Sequence, residues 1–345
     1  NYRFSIREKH NFELLLGISM DKSQLFENDA DALGTPSDYI HYIQGTTPIK
    51  YTKPEWGDPE AYETVHASSK LEEKINLSYF GRFAYNFKTR YLFEFTLRRD
   101  GSSVFGEDQR WATFPSVAIG WTFSDESFLK SVNWLSYGKI RASWGQSGVQ
   151  FDKAYLAHGL MEIGAIYDGE RGMRASGILN RKLGWEQSDQ YDLGLDLSLG
   201  GFNITVDWFK KQTKDLLFQK QVPKYNGGGT YWVNQGKLNN TGVEMSLTTF
   251  PVKGAVTWET SLNASYVKNE VADLAGDDFV LTANYSDLGG PLQIMKPGYP
   301  MGSFYVYQWK GFDDKGANLY QKADGSLTTN PTSDDLVVKG QASPK

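Results

Sequence analysis

Ile75-Asn76-Leu77-Ser78-Tyr79-Phe80-Gly81-Arg82-Phe83-Ala84-Tyr85-Asn86-Phe87 alternates in a way that decides the fold. Ile75, Leu77, Tyr79, Phe83, Tyr85 and Phe87 fall on one face of an extended chain, and Asn76, Ser78, Arg82, Ala84 and Asn86 on the other. A strand turns successive side chains to opposite faces, so this stretch is a strand with one greasy and one wet side. The pattern recurs on both sides of it. Downstream, Tyr91, Phe93, Phe95 and Leu97 alternate with Leu92, Glu94, Thr96 and Arg98, and Val117, Ile119, Trp121 and Phe123 with Ser116, Ala118, Gly120 and Thr122. Tyr191, Leu193, Leu195, Leu197 and Leu199 alternate with Asp192, Gly194, Asp196 and Ser198. Ile204, Val206 and Trp208 follow, and then Val256, Trp258, Leu262 and Tyr266. Together these stretches predict an all-β chain of about eleven strands.

Connection lengths say which kind of β protein this is. Glu8 to His10, Lys88-Thr89, Ser124 to Trp134, Gly200-Gly201 and Pro251 to Gly254 are short or moderate connections. Between them lie longer ones, Asp21 to Glu72, Asp100 to Ala112, Gln146 to Gln187, Lys214 to Asn240 and Asn269 to Gly302. Short turns at one end and long loops at the other are the habit of outer-membrane barrels, whereas a soluble sandwich keeps loops short at both ends. Several alternating runs also reach the ten or so residues that a tilted membrane strand needs. The expected fold is therefore an antiparallel transmembrane β-barrel. A passive porin, a structural outer-membrane barrel and a secreted carbohydrate-binding β protein are the rival readings.

Composition agrees and removes other classes. The mean hydropathy of −0.49 does not oppose a barrel, because only one strand face meets lipid. The 20 Tyr, 20 Phe and 10 Trp suit rings placed at headgroup level. A net charge of −5 with no basic cluster gives no footprint for nucleic acid. With no Cys there is no disulfide framework or thiolate metal site. His10, His41, His66 and His158 lack the spacing of a zinc site, and Gly227-Gly228-Gly229 lacks the Lys-Ser/Thr of a phosphate loop. No catalytic constellation, cofactor site or metal site is expected.

A series of short motifs resembles SusC/RagA-type TonB-dependent transporters in order and spacing. It begins with Tyr79-Phe80-Gly81-Arg82, Arg90-Tyr91-Leu92 and Leu97-Arg98-Arg99-Asp100-Gly101-Ser102-Ser103. It continues through Phe114-Pro115-Ser116, Gly120-Trp121, Glu126-Ser127-Phe128-Leu129 and Ile140-Arg141-Ala142-Ser143-Trp144-Gly145. Trp185-Glu186-Gln187-Ser188, Lys214-Asp215-Leu216-Leu217 and Asn240-Thr241-Gly242-Val243-Glu244 close it, covering about two thirds of the chain. Lys322-Ala323-Asp324-Gly325-Ser326 stands where many members carry an acidic run, so no cation site carries over there. The resemblance implies a barrel of 22 strands with a plug inside, of which residues 1–345 are a partial barrel, about half, with the N-terminal plug and C-terminal strands absent. It also implies TonB-dependent import of an oligosaccharide or peptide nutrient and a SusD-like surface lipoprotein as partner, in the lipid of a Gram-negative outer membrane.

Two sets of candidate residues follow. Arg82, Glu94, Arg98, Asp192, Asp196, Asp207, Glu244 and Glu259 occupy the wet strand face and are expected to line the lumen, since each would be costly against hydrocarbon. Tyr51, Trp56, Tyr62, Trp111, Tyr225, Tyr231 and Trp232 are loop aromatics whose ring faces could stack on a sugar or pack a peptide.

Overall fold

The computed structural model describes residues 1–32, 39, 49–51, 61–63, 65–167, 170–175, 177–222, 230–252, 254–285 and 290–342. Ten strands form one antiparallel sheet in chain order. They are β1 (Tyr2–Ile6), β2 (His10–Ala32), β3 (Val65–Phe87), β4 (Tyr91–Ser102), β5 (Trp111–Trp121), β6 (Leu135–Val149), β7 (Glu186–Leu199), β8 (Phe202–Lys214), β9 (Lys237–Val252) and β10 (Trp258–Asp273). After Asp273 the strands pair among themselves in a six-stranded sheet from Val280 to Gln341, so ten strands rather than about eleven build the wall. Three short hairpins lie within the long connections: Ile49–Tyr51 with Ala61–Glu63, Met161–Tyr167 with Glu170–Ala175, and Leu217–Gln221 with Thr230–Asn234.

The tight turns are set by backbone geometry. Arg7 and Glu8, Lys88 and Thr89, and Gly200 and Gly201 all have positive φ. Two successive left-handed residues match the right-handed twist of the strands they join, which lets two residues reverse the chain. Strands β2 and β3 run further than the alternation foretold, into what was read as loop from Asp21 to Glu72. Within the compact unit Met20–Asn76, polar rungs replace the greasy face: Lys22 Nζ lies 2.8 Å from Glu73, and Ser69 donates to Asn28 at 2.9 Å. A strand wet on both faces keeps its ladder but loses its period-two signature.

The remaining unit, Asn1–Ser19 with Leu77–Lys345, holds the rest of the wall. Registration puts the apolar sets in continuous rows across strands. Phe93 is opposite Ile119, Ile119 opposite Ala142, Ala142 opposite Leu193, Leu193 opposite Trp208, Trp208 opposite Val243 and Val243 opposite Tyr266. Among the described residues no second layer covers this greasy face. Leu193 is 52% exposed, Trp121 38% and Phe93 37%, and Leu195 and Leu197 are only half-buried. A soluble sandwich would put these side chains in its core, so that rival reading is excluded.

The register also yields the strand tilt. The row through Trp121 runs by Ile140, Leu195, Val206 and Met245 to Ala264 on β10. The tryptophan at the short-turn end of β10, however, is Trp258, six positions below Ala264. Six residues are about 20 Å along a strand, and five strand spacings are about 24 Å, so a level aromatic belt cuts the ladder at about 40°. The belt at the other end slopes the same way, from Trp111 on β5 to Tyr266 on β10. Barrel strands tilt by about this much.

An arginine at Leu193, midway between the belts, should therefore cost about 2–4 kcal/mol of folding stability in lipid. Asn263→Arg on the opposite face should cost far less. Urea titration of the full-length parent folded into phosphatidylcholine vesicles checks this; equal losses would contradict the assignment of faces.

Candidate functional site

All eight charged residues expected on the wet face share one face of the sheet, and most are held in ion-paired clusters. In the first cluster Arg82 Nη2 lies 3.0 Å from Glu13, Arg3 Nε lies 3.0 Å from the same carboxylate, and Glu94 is 4.0 Å from Arg82. In the second, Arg141 bridges two strands: its Nε donates to Asp196 at 2.9 Å and its Nη2 to Asp207 at 3.0 Å. Glu244 is the register partner of Asp207, so two carboxylates face each other across β8 and β9, and Arg141 bonds the Asp207 side of that pair. Like charges directly opposite destabilise a sheet, and the guanidinium offsets this. Around them, Ser143 donates to Asp192 at 3.2 Å and Thr205 to Asp196 at 3.2 Å. Arg98 reaches Asp100 at 2.7 Å and Ser78 at 3.0 Å. Ser261 donates to Glu259 at 3.5 Å.

Between the two clusters the face is floored by Ala84, Ala118 and Gly120, whose small side chains leave a hollow of about 710 Å³. Arg3, Glu13, Glu94, Lys139 and Arg141 stand round it. Arg141, Glu13, Arg3 and Lys139 were not singled out beforehand. The signal was present, because positions 139, 141 and 143 alternate with apolar 140, 142 and 144, and Glu13 sits between Phe12 and Leu14.

The long connections form the second part of the site. Phe105 is fully buried, 4.4 Å from the Trp185 ring and 4.9 Å from Phe151. Backbone bonds stitch this lobe: Gly106 N–H donates to Leu183 at 2.8 Å and Asp108 N–H to Arg181 at 3.1 Å. Gly106 has to lack a side chain, since a Cβ there would lie 2.2 Å from the Arg181 carbonyl oxygen. Asn180 donates to the Trp232 carbonyl at 2.7 Å, and Gly184 N–H donates to Asn234 at 2.7 Å, so the hairpin carrying Tyr231 and Trp232 is tied to the same lobe. A second small core, Val271, Leu274 and Met295 with Leu216 and Phe218, packs beneath that hairpin. Lys220 lies 3.2 Å from Asp277 and Gln235 donates to it at 2.7 Å. These polar contacts hold the Asp277 carboxyl below the usual range, Lys220 first and Gln235 next.

The loop aromatics divide. Tyr231 and Trp232 are half-buried on this lobe. Trp111 is not in a loop: it opens β5 on the greasy face, stacks on Tyr79 at 6.0 Å and lies under Arg99 at 5.6 Å. That placement is dictated by its register with Gly101, which continues the outward-facing positions of β4. Tyr51 and Tyr62 lie in the short Ile49–Tyr51 and Ala61–Glu63 strands, with side chains outside the described residues. Trp56, Tyr225, His41 and Gly227 to Gly229 also lie outside them. Among the described residues no group of three or more His, Asp or Glu is placed to hold a metal ion.

At the short-turn end, Glu126 collects donors. Tyr91 Oη donates at 2.7 Å and Trp121 Nε1 at 3.3 Å, and Arg90 lies 3.3 Å away. The Tyr91 bond first, then the Trp121 bond and the Arg90 charge hold its carboxyl below the usual range.

A family profile described as "TonB dependent receptor-like, beta-barrel" matches residues 3–332. "TonB-dependent receptor SusC" of Bacteroides thetaiotaomicron is 36% identical over 363 residues, covering 97% of this chain and 35% of that protein. "TonB-dependent receptor P39" of Formosa agariphila is 32% identical, covering 96% of this chain and 30% of its own length. Among solved structures, the RagAB peptide transporter superposes with a TM-score of 0.82 at 26% identity, over 98% of this chain and 36% of that one. The chain thus spans about a third of the length of the curated relatives it matches.

Two outcomes test this geometry. Arg141→Ala leaves Asp196 and Asp207 without their cation and should lose about 1–2 kcal/mol, a range discounted for partial exposure. Asp196→Asn in the same background should lose little more, and additive losses in urea titrations of the full-length parent would refute the pairing. Glu126 has a lowered folded-state pKa, so its contribution is present above the unfolded value of about 4.3 and disappears as pH falls through the folded one. The melting-temperature gap between wild type and Glu126→Gln should be full at neutral pH and close in acid.

Proposed function

The chain belongs to the TonB-dependent receptor-like β-barrel family of the Gram-negative outer membrane, and from that premise we propose that it is a wall section of a TonB-powered importer of nutrient oligosaccharides. The observation that carries the reading is the inversion of the sheet: apolar rows from Phe93 to Tyr266 face outward uncovered, while Arg141, Asp196 and Asp207 pair on the opposite side. Lipid on the first face requires water or protein on the second. Arg82, Glu94, Arg98, Asp192, Asp196, Asp207, Glu244 and Glu259 line the lumen. The hollow beside Arg141 seats part of a plug domain, which contacts TonB and is displaced or remodelled during import. No covalent step is involved, so the wall needs only to bind, brace and release.

The lobe built on Phe105 and Trp185 presents Tyr231 and Trp232 on the long-loop side, where substrate arrives and where a SusD-like lipoprotein would close the opening. Stacking on a sugar face suits such rings. The second reading is peptide import, favoured by the likeness to the RagAB peptide importer. A passive barrel is the third, and it separates from the first two by energy dependence.

The decisive experiment grows a strain lacking the gene on oligosaccharide mixtures and on peptides as sole nutrient. Loss of growth on oligosaccharides alone, reproduced by inactivating TonB, supports the proposal. Loss that TonB inactivation does not reproduce means a passive pore; loss on peptides alone replaces the substrate class. In the restored strain, Tyr231→Ala with Trp232→Ala should raise the half-saturating oligosaccharide concentration several-fold at unchanged protein level. A pull-down of the full-length protein should recover a surface lipoprotein encoded by the same cell.

A further inference from the structure

Charge on the greasy face is distributed unevenly between the two ends. Between the belts, the one outward-facing charge on β4 to β10 among the described residues is Arg99, one row inside Trp111 and 5.6 Å from its ring. At the long-loop end the outward positions include Lys210, Lys214, Lys237 and Lys268, with the carboxylates Asp189 and Glu270 among them, whereas the short-turn belt ends on Tyr91 and Trp121 hydrogen-bonded to Glu126. Two of these cations already have carboxylate partners: Lys214 lies 3.1 Å from Asp189, and Lys268 lies 2.7 Å from Glu270. Lys210 is exposed and, among the described residues, has none.

Register places Lys210, Thr241 and Lys268 side by side on β8, β9 and β10. The next row inward is Trp208, Val243 and Tyr266, the rim of the apolar band. Two ammonium groups therefore stand two strand spacings apart, about 10 Å at the backbone, with a hydroxyl between them. Side chains of this length can converge on a single tetrahedral anion. The row leans with the strands, so Lys268 stands about 6 Å further out than Lys210; both lie at or just beyond the aromatic rim, at the level of lipid headgroups, and the long-loop side is the cell's exterior. The anion chemistry found there, attached to acyl chains that would lie along Leu193, Trp208 and Val243, is a phosphate on an outer-leaflet glycolipid.

We propose that Lys210, Thr241 and Lys268 form a binding site for the phosphate of an outer-leaflet glycolipid of the lipid A type. The acyl chains pack on the apolar rows below, and the phosphate takes up the free charge of Lys210 while competing with Glu270 for Lys268. The site fixes the barrel's height in the leaflet and gives it a lipid annulus on this sector of the wall. It uses no residue of the lumen face or of the substrate-facing lobe.

The test uses the full-length parent, delipidated in detergent and titrated with lipid A in native mass spectrometry. Wild type should bind at least about tenfold more tightly than Lys210→Gln/Lys268→Gln. Lysine-to-arginine replacement at both positions keeps the charge and should retain wild-type binding, with folding of each variant verified by heat-modifiable gel mobility. Dephosphorylated lipid A should bind wild type no better than it binds the double glutamine variant. Equal binding of lipid A by wild type and the glutamine variant overturns the site, as does full retention of dephosphorylated lipid or loss of binding in the arginine variant. If inorganic phosphate alone at millimolar concentration displaces lipid A completely, the site is a general anion site and the lipid assignment fails.

Discussion

Backbone hydrogen bonding in hydrocarbon is the constraint from which the rest of this architecture follows. A peptide N–H or C=O left without a partner in lipid costs several kcal/mol, so a membrane sheet has to pair every strand on both sides along its full immersed length. The ladders here run almost unbroken across β4–β5 and from β6 to β10, with shifts confined to strand ends such as Ser198/Leu199 and Thr249/Val252, and the β5–β6 seam pairs from Ser116 to Trp121. Among the described residues, the outer edges of β1 and β10 have no neighbour in this sheet. Relatives about three times as long as this chain have room for strands that would pair with them.

Once the ladder is fixed, solvent decides the side chains. Lipid outside demands apolar residues at every second position, and polar groups then have only one face to occupy. Crowded onto that face, they pair with one another rather than stand alone: Arg82 with Glu13, and Arg141 with Asp196 and Asp207. Tilt follows from the same ladder. The belts of Trp121 with Trp258 and of Trp111 with Tyr266 are level in the bilayer only if the strands lean, so position along the sequence and height in the membrane are coupled. That coupling sets Lys268 on β10 about 6 Å further out than Lys210 on β8, although the two share a row.

Much of the wall was legible because period two is a local signal. Tyr91 to Leu97 and Tyr191 to Leu199 declare their faces without help from any distant residue. Where both faces are wet, as in β2 beyond Met20, the signal vanishes although the strand continues, and those residues read as loop. Trp111 was placed in a loop for the opposite reason: Gly101 and Ser102 look like turn formers, yet they continue β4, with Gly101 paired to Trp111. The ion-pair clusters were half-visible. Asp196 and Asp207 could be put on the wet face from alternation, but their common partner Arg141 stands 55 and 66 positions away in sequence. The loop lobe was not visible at all, because Phe105, Phe151 and Trp185 meet through connections that show no periodicity.

The two ends of the wall solve different problems, and that difference gives the sheet its direction. At the short-turn end, two-residue reversals at Lys88-Thr89 and Gly200-Gly201 leave little chain to carry function, and Glu126 absorbs the polar tips of Tyr91 and Trp121. At the long-loop end the described connections are extensive. Loops have to pair their own backbone groups or keep them in water, and Asn180 and Asn234 do this by bonding main-chain groups of neighbouring connections. Those side-chain-to-backbone bonds fix one loop against the next without a second sheet. A binding surface on such a lobe is held in place before a ligand arrives, which lowers the ordering cost of capture. The wall supplies the frame, and the bonds from Asn180 and Asn234 hold the described loops against one another.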